Sequence, residues 1–266
     1  MVADEVPAEL VRLWRLPSES RLGRRAELDV DQVVQTAVDL ADRDGVGGVT
    51  LAKVADALGV TKMALYRHVG SKDELFELMT DLAVGPAPQV SADAEQWRAG
   101  LRRWALAHRQ TYLDHPWLVD LPISRPPRGP HVIDWMDALL RVLRETGLDW
   151  STKSTVLNLV SGFVRQASAQ ARQLARGRSH TGLDQSQIEA HHGRTLAKLV
   201  EPERFPDAAQ LFTSPLFEPE QAPQPPADDS SDRDDDFASS LELILDGIAV
   251  AIDRATSSDG TPPPDP

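Results

Sequence analysis

A group of side chains that could contact nucleic acid lies in the first third of the chain, within TKMALYRHVGSK (61–72). Lys62 and Arg67 can donate to phosphate oxygens or to guanine, and the Tyr66 hydroxyl can donate to a phosphate. Met63 and Ala64 can contact a thymine methyl group. On one face of a helix these residue types indicate binding to double-stranded DNA.

Two short helices must position these side chains, separated by Gly59 and Val60. Thr50 can cap the first helix, and Thr61 can cap the second through about His68. Gly59 can end the first helix in the left-handed conformation without a Cβ penalty, and Val60 can then pack between the helices. Such a pair, held at roughly 90–120°, presents its second helix to a major groove.

Longer helical patterns flank this pair. Asp29 and Gln32 form a plausible capping box for a helix that ends near Gly45. Ser71 and Glu74 form a second such box, which opens a fourth helix. The sequence therefore predicts an N-terminal domain of three to four helices over residues 29–85.

Residues 29–82 resemble the N-terminal domain of the Tet repressor family. The resemblance rests on AVDLADRDGVGGVTLAKVADALGVTKMALYRHVGSKDELFELM, with its A-x-x-LGV, L-Y-x-H-V and K-x-x-L elements. It implies a recognition helix at about 61–68 and DNA contacts from Lys62, Met63, Ala64, Tyr66, Arg67, His68 and Lys72. The residues themselves add Arg24, Arg25, Thr50, Lys53 and Thr61 as candidate DNA-binding residues.

One position departs from the family pattern, because Leu51 and Ala52 stand where many relatives place a polar side chain. We expect Lys53 to supply the phosphate contact there. The alternative for the whole segment is a helical hairpin inside a core, with Tyr66 and His68 only filling space. The basic arm at 21–25 has two interpretations: a minor-groove or phosphate contact, or a solvated segment.

Composition limits the other classes of protein. The chain has 266 residues, a net charge of −13 and no cysteine, which excludes disulfides and thiolate metal sites. Much of the acidity lies at 228–236, while basic residues slightly outnumber acidic ones from Arg21 to Lys72. This distribution argues against promiscuous DNA binding rather than against specific binding. No apolar run approaches a membrane span and no secretory signal is evident, so we expect a cytoplasmic protein without membrane contact.

The rest of the chain has helical periodicity throughout, so the fold class is all-α. After an N-terminal extension (1–28) and the DNA-binding domain (29–85), residues 86–255 form a larger helical domain. Its helices are expected at about 95–115, 131–146, 151–175, 185–200 and 237–255. Residues 214–236 are expected to be an acidic flexible loop, and residues 256–266 a disordered tail.

A stripe of aromatic residues on helix 95–115 includes His108, which needs a partner if it is buried. It is either a satisfied core histidine or part of a ligand cavity between helices. The predicted ligand-binding residues are Trp104, His108, Tyr112, Trp117, Trp135, Phe163 and Gln170.

The resemblance also implies a homodimer, paired through helices at about 151–175 and 237–254, that reads a palindromic operator. The expected function is a transcriptional repressor released by an unknown small molecule, without a cofactor. The alternatives are a DNA-binding regulator or architectural protein without an effector, and an enzyme. The enzyme is disfavoured because His-Glu-x-x-His, Gly-x-Ser-x-Gly and glycine-rich phosphate loops are all missing from the sequence.

Overall fold

The computed structural model describes residues 6–17, 29–122, 126–178, 185–217 and 229–258. The described residues form eleven α-helices and no β-strand, which confirms the predicted all-α class. The chain divides into two compact units, one of Met1–Ser168 with Ile244–Pro266 and one of Ala169–Leu243.

The first unit contains the N-terminal helices and most of the helices that follow them. Its helices are α1 (Ala8–Leu13), α2 (Val30–Asp44), α3 (Leu51–Ala57), α4 (Lys62–Val69), α5 (Lys72–Val84), α6 (Trp97–Asp114) and α7 (Pro130–Val142). The unit also holds the first part of α8 (Trp150–Arg178) and the last part of α11 (Asp229–Ser258). The second unit holds the remainder of α8 and α11 together with α9 (Gln185–Leu199) and α10 (Pro206–Phe212).

The core of the DNA-binding helices follows the apolar periodicity of α2. Asp29 caps α2, and Gln32 Oε1 accepts from the Asp29 N–H at 3.4 Å, which confirms the predicted capping box. Val33, Val34 and Ala37 lie on the apolar face of α2 and are fully buried. Burying a valine or leucine side chain contributes roughly 1.5–3 kcal/mol, so this face fixes α2 against its neighbours.

Helix boundaries in the body differ from the prediction in three places. Helix α7 ends at Val142 rather than at Thr146, and α8 extends to Arg178. Helix α11 begins at Asp229, within the segment that was predicted to be a flexible loop.

The predicted loop (214–236) and the predicted tail (256–266) are described only in part. A 3₁₀ turn spans Pro215–Phe217, and α11 continues to Ser258, into the predicted tail. Residues 218–228 and 259–266 lie outside the described residues. No helix in the described ranges is both long enough and apolar enough to cross a membrane.

Candidate nucleic-acid interface and effector site

Helix α4 presents one face to the core and the other to solvent. Thr61 caps its start, because Thr61 Oγ1 accepts from the Ala64 N–H at 3.2 Å. Leu65 and Val69 are fully buried. Gly59, with φ of 67°, makes the turn before α4, a backbone conformation that favours glycine. The helix is therefore held by its apolar face, and the opposite face is exposed to solvent.

The solvent face of α4 carries the donors predicted from the sequence. Lys62 and Arg67 are exposed, and Met63 and Tyr66 are 70% and 41% exposed. An exposed methionine of this kind has no role in the core of α2, α4 and α5. Ala64 and His68 are only half-buried, so they lie at the edge of this face. The face can meet phosphates, base edges and thymine methyl groups together.

The start of α3 explains the departure at Leu51. Thr50 caps α3 by accepting from the Lys53 N–H at 3.2 Å. Leu51 is 6% exposed and packs in the N-terminal core, whereas Thr50 and Lys53 are exposed. An apolar residue is needed at position 51, and the polar side chains on either side remain available to a phosphate.

The start of α5 differs from the predicted capping box. Ser71 caps α5 by accepting from the Glu74 N–H at 3.1 Å, but the Glu74 carboxylate pairs with Arg12 of α1 instead of returning to Ser71. Lys72 is exposed, with its Nζ 5.0 Å from the centroid of the Phe76 ring. Arg24 and Arg25 of the predicted arm lie outside the described residues.

The predicted effector residues divide into a cluster and three separate positions. His108 lies within 4.7–5.2 Å, between ring centroids, of Trp104, Tyr112 and Trp135. The indole N–H of Trp104 donates to the Trp135 carbonyl at 2.9 Å. The structure thus brings four of the seven predicted ligand-binding residues together, on α6 and α7.

His108 is the chemically distinctive member of this cluster. Its Nδ1 is buried and has no hydrogen-bond partner among the described residues, which favours the ligand-cavity interpretation over a satisfied core histidine. Burial lowers the pKa of His108 from 6.5 to about 4, so the ring is neutral near pH 7. Burial also raises the pKa of Tyr112, against the opposing charge of Arg165 on α8. The cluster can offer a neutral nitrogen and a phenol to an uncharged aromatic ligand.

The other three predicted residues lie elsewhere. Trp117 is 1% exposed and packs in the N-terminal core, where its indole N–H donates to Asp42 Oδ1 at 2.7 Å. Its partner lies on α2, which apolar periodicity could not reveal, and Trp117 is not part of the cluster around His108. Phe163 is half-buried on α8, and Gln170 is exposed in the second unit.

A joint between α5 and α7 was not predicted from the sequence. The buried Asp81 carboxylate accepts from the backbone N–H groups of His131 at 2.9 Å and Val132 at 3.2 Å, and so caps α7. A Cβ at Gly129 would overlap this carboxylate, so only glycine allows the approach. Burial raises the pKa of Asp81. The capping partner lies about fifty residues away, which hides it from local pattern reading.

A cavity of about 310 Å³ lies within the second unit. None of the predicted ligand-binding residues lines it; its walls are Arg194, Ala197, Lys198, Phe212, Thr213, Ser214 and Phe217. No cluster of three or more possible metal ligands occurs among the described residues.

Two family models match the chain, one in its N-terminal part and one in the remainder. Residues 33–79 match the family "Bacterial regulatory proteins, tetR family", and residues 89–252 match the "Tetracyclin repressor-like, C-terminal domain". The second match alone covers more than half of the chain. The chain belongs to the TetR family. The predicted family and the function of a DNA-binding transcriptional regulator are thereby confirmed, and the enzyme alternative is rejected.

Individual relatives agree with this placement. The chain is 30% identical over 250 residues to the HTH-type transcriptional repressor DrrR1 of Streptomyces coeruleorubidus, covering 93% of this chain and 87% of that one. It is 29% identical over 140 residues to the class E tetracycline repressor of Escherichia coli, covering 52% and 66%.

Solved structures show the same fold. Apo ActR of Streptomyces coelicolor superposes with a TM-score of 0.67 at 23% identity, covering 85% of this chain and 99% of that one. ActR in complex with actinorhodin gives the same TM-score at 24% identity and the same coverage.

Proposed function

We propose that this TetR-family protein is a homodimeric repressor that binds a palindromic operator through α4. A small molecule bound beside His108 would release it from DNA. The observation that carries the proposal is the exposed face of α4, where two cations, a phenol and a largely exposed methionine lie on a helix that is fixed by its buried side. The similarity to the repressor DrrR1 supports repression over activation.

The proposed DNA contacts follow from exposure and chemistry. Lys62, Arg67 and Tyr66 would contact phosphates or guanine, and Met63 would contact a thymine methyl group. Thr50 and Lys53 at the N-terminus of α3, and Lys72 at the N-terminus of α5, would bind phosphates. Thr61, Ala64 and His68 complete the described set, and Arg24 and Arg25 remain a proposal from the sequence.

Dimerisation through α8 and α11 is supported by the apolar and small residues that each helix exposes. On α8, Leu159 is 48% exposed and Gly162 is exposed, three residues apart on one face. On α11, Leu243 is 74% and Val250 48% exposed, with Gly247 between them at helical spacing. Burying such faces against a second copy would place two recognition helices roughly 34–36 Å apart, about one turn of DNA.

The effector site is proposed at the cluster of Trp104, His108, Tyr112 and Trp135. A buried nitrogen without a partner costs about 1–3 kcal/mol, and a ligand that donates to it would recover that loss. Such a ligand shifts the protein between states only if it binds one state more tightly. The ligand complex of ActR supports a small-molecule effector. Since the proposed partner is chromosomal DNA, we also propose a cytoplasmic location.

The test is footprinting of genomic fragments selected by the purified full-length protein. We expect a protected palindrome, and we expect Arg67→Ala to weaken operator binding by roughly tenfold or more, because an arginine contact to guanine contributes about 1–3 kcal/mol. Arg204→Ala removes an exposed arginine of the second unit and serves as the matched control. Equal loss in both variants would reject α4 as the recognition helix.

The same footprint tests the effector site when it is repeated with actinorhodin, the ligand in the ActR complex. Loss of protection that depends on His108, and is absent in His108→Phe, would support the site. Loss of protection that persists in His108→Phe would place the effector elsewhere.

A further inference from the structure

Helix α1 lies before the DNA-binding helices and contacts both α4 and α5. It is only six residues long, and Leu13 is its one buried residue. The polar side chains of α1 and of the two residues that follow it, Trp14 and Arg15, nevertheless bond to other elements of the chain. A segment that contributes so little apolar burial, but several hydrogen bonds and ion pairs to other elements, fixes positions more than it adds core.

One side of α1 holds the turn after the recognition helix. Arg12 pairs with Glu74 in the first turn of α5, with Nε donating to Oε2 at 3.0 Å. A Cβ at Gly70, the residue that joins α4 to α5, would touch the Arg12 guanidinium. Arg15 Nε donates to Asp31 Oδ1 of α2 at 2.7 Å. Arg12 therefore packs directly against the end of α4.

The other side of α1 holds the segment that enters α7. The Trp14 indole N–H donates to the Arg128 carbonyl at 2.8 Å, and the Glu9 carboxylate lies 3.8 Å from Arg128 Nη1. The Arg128 guanidinium also donates to Glu77 Oε1 of α5 at 2.7 Å. Arg128 therefore contacts α1, Trp14 and α5 at the same time.

The partners on α5 form a single stripe. Glu74, Glu77 and Asp81 are spaced by three and four residues, so they share one helix face. Glu74 binds α1, Glu77 binds Arg128, and Asp81 caps α7. Every acid of this stripe is paired with an element outside α5.

We propose that α1, the two residues after it and Arg128 are positioning elements for DNA binding. Together they clamp the start of α7 to α5 and to the turn after α4, and so they set the angle at which α4 is presented. The inference rests on the proposed function, because a fixed angle matters most when two recognition helices must match one operator. Loosening the clamp should relax the required half-site spacing.

The experiment compares full-length Trp14→Phe and Arg128→Gln with the unaltered protein. Trp14→Phe keeps an aromatic ring, though a smaller one, and removes the indole donor; because Trp14 is 43% exposed, little buried packing is lost. The first measurement is the ratio of affinities for the selected operator and for the same operator with one base pair inserted at its centre. We expect this ratio to fall about fivefold in both variants, with affinity for non-specific DNA unchanged; a fivefold change corresponds to about 1 kcal/mol.

The second measurement is hydrogen exchange of residues 70–74 and 129–134, which requires no DNA. We expect faster exchange in both variants and unchanged exchange in Arg141→Gln, which breaks an ion pair with Asp137 inside α7 alone. Unaltered exchange and an unaltered affinity ratio in both variants would overturn the clamp. Failure of the unaltered protein to select a two-fold operator would instead reject the proposed function, and the exchange result would still decide the clamp.

Discussion

Side chains along α4 serve two surfaces within eight residues. Leu65 and Val69 bury completely, while Met63 and Tyr66 project from the same short helix into solvent. The division follows the helical period, since residues four apart share a face. A change on the inner face should unfold the domain, whereas a change on the outer face should alter only its contact with DNA.

His108 should make stability depend on pH in a specific window. Burial lowers its folded pKa to about 4, while the unfolded side chain keeps a pKa near 6.5. Between these values the unfolded chain binds more protons, so the free energy of unfolding falls as pH drops from about 6.5 to 4. His108→Phe should reduce this loss by up to about 3 kcal/mol.

The measurement is urea unfolding at pH 7 and pH 4.5, at one fixed protein concentration. The comparison between variants removes the opposite contribution of Asp81, whose raised pKa makes its burial less unfavourable as pH falls. The same loss of stability in both proteins would show that His108 becomes accessible to protons in the folded state.

At the scale of helices, the sequence predicts what is encoded locally. Asp29, Thr50 and Thr61 cap their helices as predicted, because a cap and its partner lie within three residues. The exposed face of α4 is predictable for the same reason. The sequence predicts a capping box for Glu74, but its carboxylate pairs with Arg12, a cation 62 residues away.

Long-range hydrogen bonds are what the sequence could not predict in the body. Trp117 reads as one more aromatic of a ligand cavity, yet its indole N–H belongs to Asp42 of α2. Nothing in the local sequence distinguishes Asp81 of α5, yet its carboxylate is buried at the start of α7. The aromatic cluster around His108 was predictable because three of its members, Trp104, His108 and Tyr112, share one helical stripe.

The cap of α7 gives a stability prediction. Asp81→Ala removes the acceptor of two backbone N–H groups inside the protein, so we expect a loss of about 2 kcal/mol. Asp81→Asn retains one carbonyl oxygen and should lose less. Urea unfolding at pH 7 measures both, and an equal loss would mean that the carboxylate charge, rather than its acceptor atoms, holds the joint.

At the scale of the whole molecule, dimerisation gives the next prediction. Leu243→Asp places a charge on the proposed apolar face of α11 and should convert the dimer to a monomer, because an unpaired charge is costly at a buried interface. Light scattering after gel filtration gives the mass. Leu211→Asp on α10 is the matched control, since Leu211 is likewise an exposed leucine, at 49%, and lies on a different helix. Dimers in the Leu243→Asp variant would reject the face.

The α5 stripe also limits how freely such regulators can be recombined. A chimera joined between α5 and α6 would keep Glu77 and Asp81 but replace residues 128–132, which those two acids hold. The transplanted effector domain would lack the partners of the Glu77 and Asp81 carboxylates. Domain exchange should therefore succeed only when α1, α5 and the first turn of α7 are transferred together. The junction of a chimeric regulator built from this chain should not be placed between α5 and α6.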